Sequence, residues 1–275
     1  GITRNLVEHE LTRNKSLDIA FSPERLAEGN AIKELTSLPI VVGGTSKIAN
    51  KRASNFWEKW LGVKVIQVQN AETAEMVKLA NNAWIDLNIA LANDLARLTD
   101  TLNQNIDILE VIEAANSLKK GTSFVNILSP SNGVGGYCLT KDPWFLYQLG
   151  LSNGLQLKTI EAGRVTNDNM PNHACERITA FINKAGKSLS NIKIAVLGLA
   201  FKSDSGDLRH SPVLPFLSKI QEKGVKEINV FDPLVTDNDK RSINFSLSND
   251  LKSSISGADC IAFMTGHECF KDKGL

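Results

Sequence analysis

Residues 72–103 contain neither glycine nor proline. Across them apolar side chains recur at Met76 and Val77, Ala80, Ala83 and Trp84, Leu87, Ala90 and Leu91, Leu95, Leu98 and Leu102. That spacing predicts a single amphipathic helix of about 48 Å at 1.5 Å per residue. A helix this long either crosses between domains or forms the core of a dimer. Its apolar content on more than one side predicts a symmetric homodimer along it. The rest of a 275-residue chain must then be arranged around this rod as one large domain or two ordinary ones.

On either side of the rod the pattern is α/β. Residues 3–13 read as a helix with Leu6, Val7 and Leu11 on one face. Asp18–Phe21, Pro39–Gly44 and Val63–Val68 read as strands, and 47–61 as a helix carrying Phe56, Trp57 and Trp60. Ser22 followed by Pro23 predicts the start of a short helix running towards Gly29. After the rod, Asp107 predicts the cap of a helix reaching about residue 118, and 155–184 reads as helix interrupted near Met170-Pro171. A new α/β pattern begins at Ile192. It has strands at 192–198, 228–232 and 260–264, with helices at 212–223 and 250–256. Asp232 lies about 34 positions after Gly198, which resembles one half of a Rossmann fold without the full GxGxxG turn.

The chemistry concentrates in Gly133-Val-Gly-Gly-Tyr-Cys-Leu-Thr-Lys-Asp-Pro-Trp-Phe145. Cys138 follows a glycine turn, and Asp142-Pro143 predicts a helix N-terminus just beyond it. A thiol beside a helix N-terminus and a lysine, here Lys141, is placed to react as the thiolate. Gly135 and Gly136 predict room for a substrate to approach the backbone. Three pairs at i,i+4 accompany this turn: Glu24 with Glu28, Lys78 with Asn82, and Cys138 with Asp142. Singly, Glu24 with Glu28 reads as a solvated surface face, Lys78 as a surface lysine and Cys138 as a buried structural cysteine. Together they supply a nucleophile, carboxylates to move protons, and a cation and an amide for an oxyanion.

Bulk composition narrows the partners. Thirty-one basic and thirty acidic residues give a net charge of +1, which argues against a general nucleic-acid or membrane-surface binder. No apolar run approaches the roughly 18 residues that span a bilayer. No charged-then-apolar leader opens the chain. Cys138, Cys175, Cys260 and Cys269 form no CxxC pair, so no zinc site or disulfide framework is expected and a reducing cytoplasm fits best.

The blocks SPERLAEG at 22–29, AEMVKLANNAW at 74–84, GVGGYCLTKDPWFL at 133–146 and GLAFKSDSGDLRHSP at 198–212 resemble the UDP-glucose/GDP-mannose dehydrogenase family, in that family's order. The resemblance implies two successive NAD-dependent oxidations at C6 of a UDP-sugar, in polysaccharide precursor synthesis. Cys138 would form a thioester, Lys78 and Asn82 would stabilise the oxyanion, Glu24 or Glu28 would handle the hydrolytic water, and Asp142 would assist proton transfer. Gly135, Gly136, Tyr137, Lys202 and Arg164 would meet the substrate, and Lys141 and Arg209 the cofactor. No metal is implied.

The resemblance also implies an architecture. Residues 1–70 would be the last part of a Rossmann-type NAD domain, 71–185 a central long-helix dimerisation domain, and 186–275 a Rossmann-like UDP-sugar domain. On this reading most of the cofactor half, with its GxGxxG, is expected to be missing, and the chain alone to be catalytically silent. Arg164-Val-Thr-Asn-Asp-Asn-Met-Pro171 resembles the segment of N-acetylhexosamine-type members, which favours UDP-N-acetylmannosamine or UDP-N-acetylglucosamine. UDP-glucose is the alternative sugar, and a non-catalytic UDP-sugar-binding dimer the alternative function. A cysteine hydrolase ranks last, because His9, His173, His210 and His267 lie in no nucleophile–base motif.

Overall fold

The computed structural model describes residues 1–12, 17–26, 29–102, 104–236, 245 and 247–271. It forms two compact units, Gly1–Asn82 and Ala83–Leu275.

The first unit opens with Thr3–Glu8, wound as a π-helix, running into α1 (His9–Leu11). Strand β1 (Ala20–Phe21) pairs antiparallel with β2 (Ile40–Gly44), and β2 pairs parallel with β3 (Val65–Gln67), Ile40 facing Val65. Helix α2 is Ala31–Leu35 and α3 is Lys47–Leu61. The limits of α3 match the expected 47–61 because both ends are written locally. Ser46 accepts the Ala49 amide at 3.0 Å, and Gly62 takes φ +64° at the other end. Ile40, Val42 and Val63 make the core, with Trp57 and Leu61 of α3 packed on it. Ser22 begins no helix in the described residues. Its hydroxyl instead donates to the Val41 carbonyl at 2.9 Å, tying the segment to β2.

Helix α4 (Ala71–Thr101) is the expected rod, and the division between units falls within it. In the second unit it is followed by α5 (Ile108–Asn116), where Asp107 accepts the Leu109 amide at 2.8 Å as the cap. A small hairpin, β4 (Lys119–Lys120) with β5 (Ser123–Phe124), comes next. Helix α6 spans Tyr137–Ser152 and α7 spans Lys158–Lys184.

The last part is a parallel sheet of order β7–β6–β8, with β6 (Lys193–Leu197), β7 (Glu227–Phe231) and β8 (Cys260–Phe263). Helix α8 (Val213–Glu222) joins β6 to β7, and α9 (Leu251–Ile255), capped by Asp250, precedes β8. Four of the five β6 residues are fully buried, as expected for the central strand of a covered parallel sheet. Phe216, Leu217 and Ile220 of α8 and Ile182 and Cys175 of α7 complete one core with Ile194 and Val196. The α/β class and the Rossmann-like ending expected from the sequence are therefore present.

Two helices depart from expectation at prolines. Helix α6 begins at Tyr137, so Pro143 lies inside it rather than at its first position, and α7 runs unbroken through Pro171. Each proline lacks the N–H that would bond the carbonyl four residues earlier. The Leu139 carbonyl freed by Pro143 accepts from Arg164 Nη1 at 3.3 Å. The Asn167 carbonyl freed by Pro171 lies against the Gly133 backbone, where a Cβ would sit 3.0 Å from it.

Burial pushes the Cys175 thiol up to about 11 from an ordinary 9.0. The folded thiol thus holds its proton after the unfolded one has lost it, so this contribution to stability is full below 9.0 and is lost as pH rises towards about 11. Urea unfolding at a series of pH values is expected to show a steeper fall above pH 9.0 for the unmutated chain than for Cys175→Ala. Parallel curves would contradict it.

Candidate active site

The segment 126–135 has no regular structure, yet it delivers the cysteine. Asparagines from two helices hold it. Asn116 of α5 accepts the Ile127 amide at 2.7 Å and donates to the Ile127 carbonyl at 2.9 Å, imitating a strand partner. Asn88 of α4 accepts the Leu128 amide at 2.8 Å and donates to the Asn126 carbonyl at 2.6 Å. Asn93, fully buried, accepts the Ser131 amide at 2.7 Å and donates to Asn167 at 2.9 Å. Irregular backbone inside a protein needs such partners for its polar groups.

The glycine turn then meets the last sheet. Gly136 donates to the Arg209 carbonyl at 2.8 Å, and its φ is +76°. A Cβ on Gly135 would collide with Phe201 Cβ, and one on Gly136 would lie 3.0 Å from the Phe201 ring. The close approach that these glycines permit is thus made by Phe201.

Cys138 is the second residue of α6 and is exposed, with its sulfur in no disulfide. Tyr137 beside it packs edge-on against His210, centroids 5.0 Å apart, and carries the Arg209 guanidinium at 5.1 Å from its ring. Arg209 also holds Asp207, its Nε lying 2.8 Å and 2.7 Å from the two carboxylate oxygens. Lys141 Nζ sits 2.8 Å from Asp142 Oδ1 and 5.0 Å from the Phe145 ring centroid. Asp142 is buried, at 5% exposure. A cavity of about 430 Å³ lies beside this turn, with Val134, Tyr137, Lys141, Asn167 and His210 among its walls.

Arg164 was expected at the substrate. Its side chain is only 1% exposed and is committed to protein partners. Nη1 lies 2.5 Å from Asp86 Oδ1 and donates to the Leu139 carbonyl, while Nη2 pairs with Asp168. Asn167 donates to both the side chain (2.8 Å) and the carbonyl (2.9 Å) of Asp86. Burial pushes the Asp86 carboxyl above its ordinary value, and Arg164 and Asn167 draw it part of the way back. Asp86 Oδ2 and Arg164 Nε have no partner among the described residues.

In the last sheet, Asp232 at the end of β7 turns inward. Its Oδ2 accepts the Leu199 and Ala200 amides at 2.6 and 3.1 Å, and its Oδ1 accepts the Leu234 amide at 2.9 Å. The loop that it braces carries Phe201 and the half-buried Lys202.

In the first unit the structure brings together two residues expected in separate pairs. Lys78 Nζ donates to the Glu24 carbonyl at 2.5 Å and lies 3.5 Å from Glu24 Oε2. Asn82, one turn further along α4, is buried at 7% exposure. Glu28 lies outside the described residues. Without a helix at 22–26, the shared helical face predicted for Glu24 and Glu28 is not present in the described part.

Sequence reasoning missed Asp86, Asn88, Asn93, Asn116 and Asn167. The available signal was polar residues on the inward stripe of the rod: Asp86 and Asn93 stand seven apart, two turns along one face.

A parallel Rossmann-like sheet, a long helix and an exposed cysteine on a glycine turn packed against the loop after β6 define an α/β protein with a cysteine-bearing turn beside its sheet. Residues 72–169 match the central domain of the UDP-glucose/GDP-mannose dehydrogenase family, and residues 195–274 match the UDP binding domain of the same family. The chain belongs to that family. It is 35% identical over 261 residues to the UDP-N-acetyl-D-mannosamine dehydrogenase of Methanococcus maripaludis, covering 95% of this chain and 56% of the relative. The solved UDP-D-ManNAc dehydrogenase of Pyrococcus horikoshii superposes with a TM-score of 0.85 at 34% identity, over 100% of this chain and 62% of that one. A UDP-glucose dehydrogenase from Pyrobaculum islandicum superposes at 0.87 with 25% identity, over 98% of this chain and 61% of that one. The chain thus spans little more than half the length of these relatives.

Removing one member of a buried ion pair leaves the other uncompensated, at a cost of about 3–5 kcal/mol. Arg164→Met is expected to cost that much in urea unfolding, and Asp86→Leu with Arg164→Met to recover more than half of it. A single variant as stable as the unmutated chain would show that the pair holds nothing.

Proposed function

We propose that this chain is the nucleotide-sugar side of an NAD-dependent UDP-sugar 6-dehydrogenase, with UDP-N-acetylmannosamine as substrate. The observation that carries the reading is Cys138: exposed, in the first turn of α6, on a glycine turn clamped by Phe201 next to Lys202. The relatives named for UDP-N-acetylmannosamine support the choice of sugar. In the 164–171 segment Arg164 and Asn167 bond Asp86 and also line the cavity beside the cysteine turn.

In this mechanism the Cys138 thiolate adds to the C6 aldehyde. A C–S bond forms and the carbonyl oxygen takes the electron pair. After oxidation to the thioester, water attacks the carbonyl carbon, the C–S bond breaks, and the acid leaves as the thiol is restored. Lys78 and Asn82 are assigned to the oxyanion, Glu24 or Glu28 to the water and Asp142 to proton transfer, all on the family resemblance. Lys202 is assigned to the nucleotide.

NAD is the proposed hydride acceptor for the two oxidations. The described residues do not fit it as a cradle. Space beside Gly43 is filled by the Asn70 carbonyl and Ala74, beside Gly44 by the Asn50 backbone, and beside Gly198 by Thr265. At each of these glycines the close approach is taken up by the protein's own atoms, whereas dinucleotide recognition uses it for the diphosphate. Lys141 and Arg209, expected at the cofactor, are engaged with Asp142 and Asp207. No step of hydride transfer is therefore assigned to this chain.

Iodoacetamide labelling of the 275-residue chain, read by mass spectrometry, tests the site. UDP-N-acetylmannosamine is expected to slow labelling of Cys138 and leave the exposed Cys269 unchanged, and NAD to protect neither. In the whole protein, Cys138→Ala is expected to abolish acid formation while UDP-sugar affinity by calorimetry stays within about threefold, a shift below 1 kcal/mol. Unprotected Cys138 at saturating UDP-sugar, or turnover in Cys138→Ala, would sink the reading.

We also propose a homodimer through α4. Trp84, Leu91 and Leu98 are 50%, 50% and 54% exposed and stand seven residues apart, an apolar stripe along one helix face. Leu91→Glu is expected to give monomers by light scattering where the unmutated chain gives dimers. A monomeric unmutated chain well above micromolar concentration would end the proposal.

A further inference from the structure

His267 is buried at 1% exposure just beyond β8, and the mechanism above gives it no part. Its two ring nitrogens have different partners. The Asp204 backbone amide lies 3.0 Å from Nδ1, and Asp232 Oδ2 lies 3.1 Å from Nε2. A backbone N–H can only donate, so Nδ1 must present its lone pair. The ring proton then sits on Nε2 and donates to Asp232. The contacts allow one tautomer of the neutral ring.

The same ring therefore links two anchor points of the 199–204 loop. Asp232 Oδ2, oriented by His267, accepts the Leu199 and Ala200 amides at the start of the loop. Nδ1 takes the amide of Asp204 at its end, where the backbone is left-handed with φ +56°. Asp204 Oδ1 in turn accepts the Glu268 amide at 2.9 Å, closing a ring of contacts with the β8 side. Thr265 Oγ1 donates to the Ala200 carbonyl at 2.6 Å, and Phe270 packs edge-on against the imidazole, centroids 5.4 Å apart. Between the anchors lie Phe201, which clamps the Gly135-Gly136 turn ahead of Cys138, and Lys202.

We propose that His267, locked as the Nε2–H tautomer, is a positioning residue. It sets the 199–204 loop so that Lys202 meets the nucleotide and Phe201 seats the cysteine turn. The Lys202 part of this rests on the nucleotide reading of the site given above. An acid at the end of the second strand of a Rossmann half commonly meets a ribose hydroxyl. Here Asp232 is consumed internally, its side chain fully buried, and the loop that it holds presents the ligand-facing groups in its place.

Three variants separate the two ring contacts in the 275-residue chain. His267→Asn can keep an acceptor near Nδ1, His267→Gln a donor near Nε2, and His267→Phe keeps the ring shape without either. The tautomer is read directly from long-range ¹H–¹⁵N correlation of the imidazole. Nδ1 is expected to resonate as an unprotonated and Nε2 as a protonated nitrogen, and the reverse assignment would overturn the proposal without any variant. UDP affinity by calorimetry is expected to fall about tenfold in His267→Phe, with partial recovery in His267→Asn and His267→Gln. Thermal melting of each variant identifies loss through unfolding, in which case the asparagine and glutamine variants carry the comparison. His267→Phe that folds and binds UDP as tightly as the unmutated chain would overturn the positioning role. An unmutated chain that binds no UDP would instead count against the nucleotide reading, since the tautomer measurement does not depend on it.

Discussion

The second unit depends on one guanidinium. Arg164 reaches from α7 to Asp86 on α4 and to the Leu139 carbonyl on α6, so a single buried cation joins the three long helices. Its cost is large, because both charges lie at about 1% exposure. Several hydrogen bonds offset that cost. Asn167 feeds two of them into Asp86, and the carbonyl that Pro143 leaves unpaired would otherwise be an orphan under the cysteine helix. Pro143 and Arg164 therefore act together: one opens an acceptor in the first turns of α6 and the other fills it. The helix that carries Cys138 is positioned by polar contacts of defined direction, which an apolar interface would not supply.

A second constraint acts from the opposite side of the cysteine turn. The parallel sheet ends in Asp232, Thr265 and His267, whose side chains point back into the loop after β6. That loop leans Phe201 onto Gly135 and Gly136. The turn is thus held between the Asn ladder on one side and the sheet's loop on the other. Glycine is required there because the Phe201 side chain and the His210 carbonyl leave no room for a Cβ on Gly135, and Gly136 takes φ +76°. The Cys138 side chain is thus placed by two rigid elements closing on a short irregular stretch, an arrangement that favours a fixed thiol over a mobile one.

Much of this was readable in one dimension. Local chemistry wrote the helices with strong ends: Ser46 and Gly62 for α3, Asp107 for α5, Asp250 for α9. The rod was predicted over 72–103 and found over Ala71–Thr101, since apolar periodicity without a breaker leaves no other structure for it. Cys138, with its glycines and Lys141, was also legible, because its residue types are unusual together. The start of α6 was misplaced, and for a stated reason. Asp142-Pro143 carries the strongest local start signal in the segment, and the distant Arg164 supplies the donor that the Leu139 carbonyl lacks in the earlier start. Helix α7 likewise runs through Pro171, where the freed Asn167 carbonyl lies against the Gly133 backbone, a contact that a local reading does not contain.

Arg164 shows where sequence and tertiary structure divide. Residue type alone makes an arginine near a glycine-rich cysteine turn a candidate for binding an anionic substrate. The fold instead surrounds it with Asp86, Asp168 and Asn167, from positions 78, 4 and 3 residues away. By itself the sequence determined the α/β class, the long rod and the helices with strong local caps, because these follow from neighbours within a few residues. Tertiary structure decided which charged groups face solvent and which are consumed inside, as with Asp232, His267 and Arg164. The reason is that burial and pairing depend on contacts between segments far apart in the chain, and the free energy of a charge depends almost entirely on those contacts.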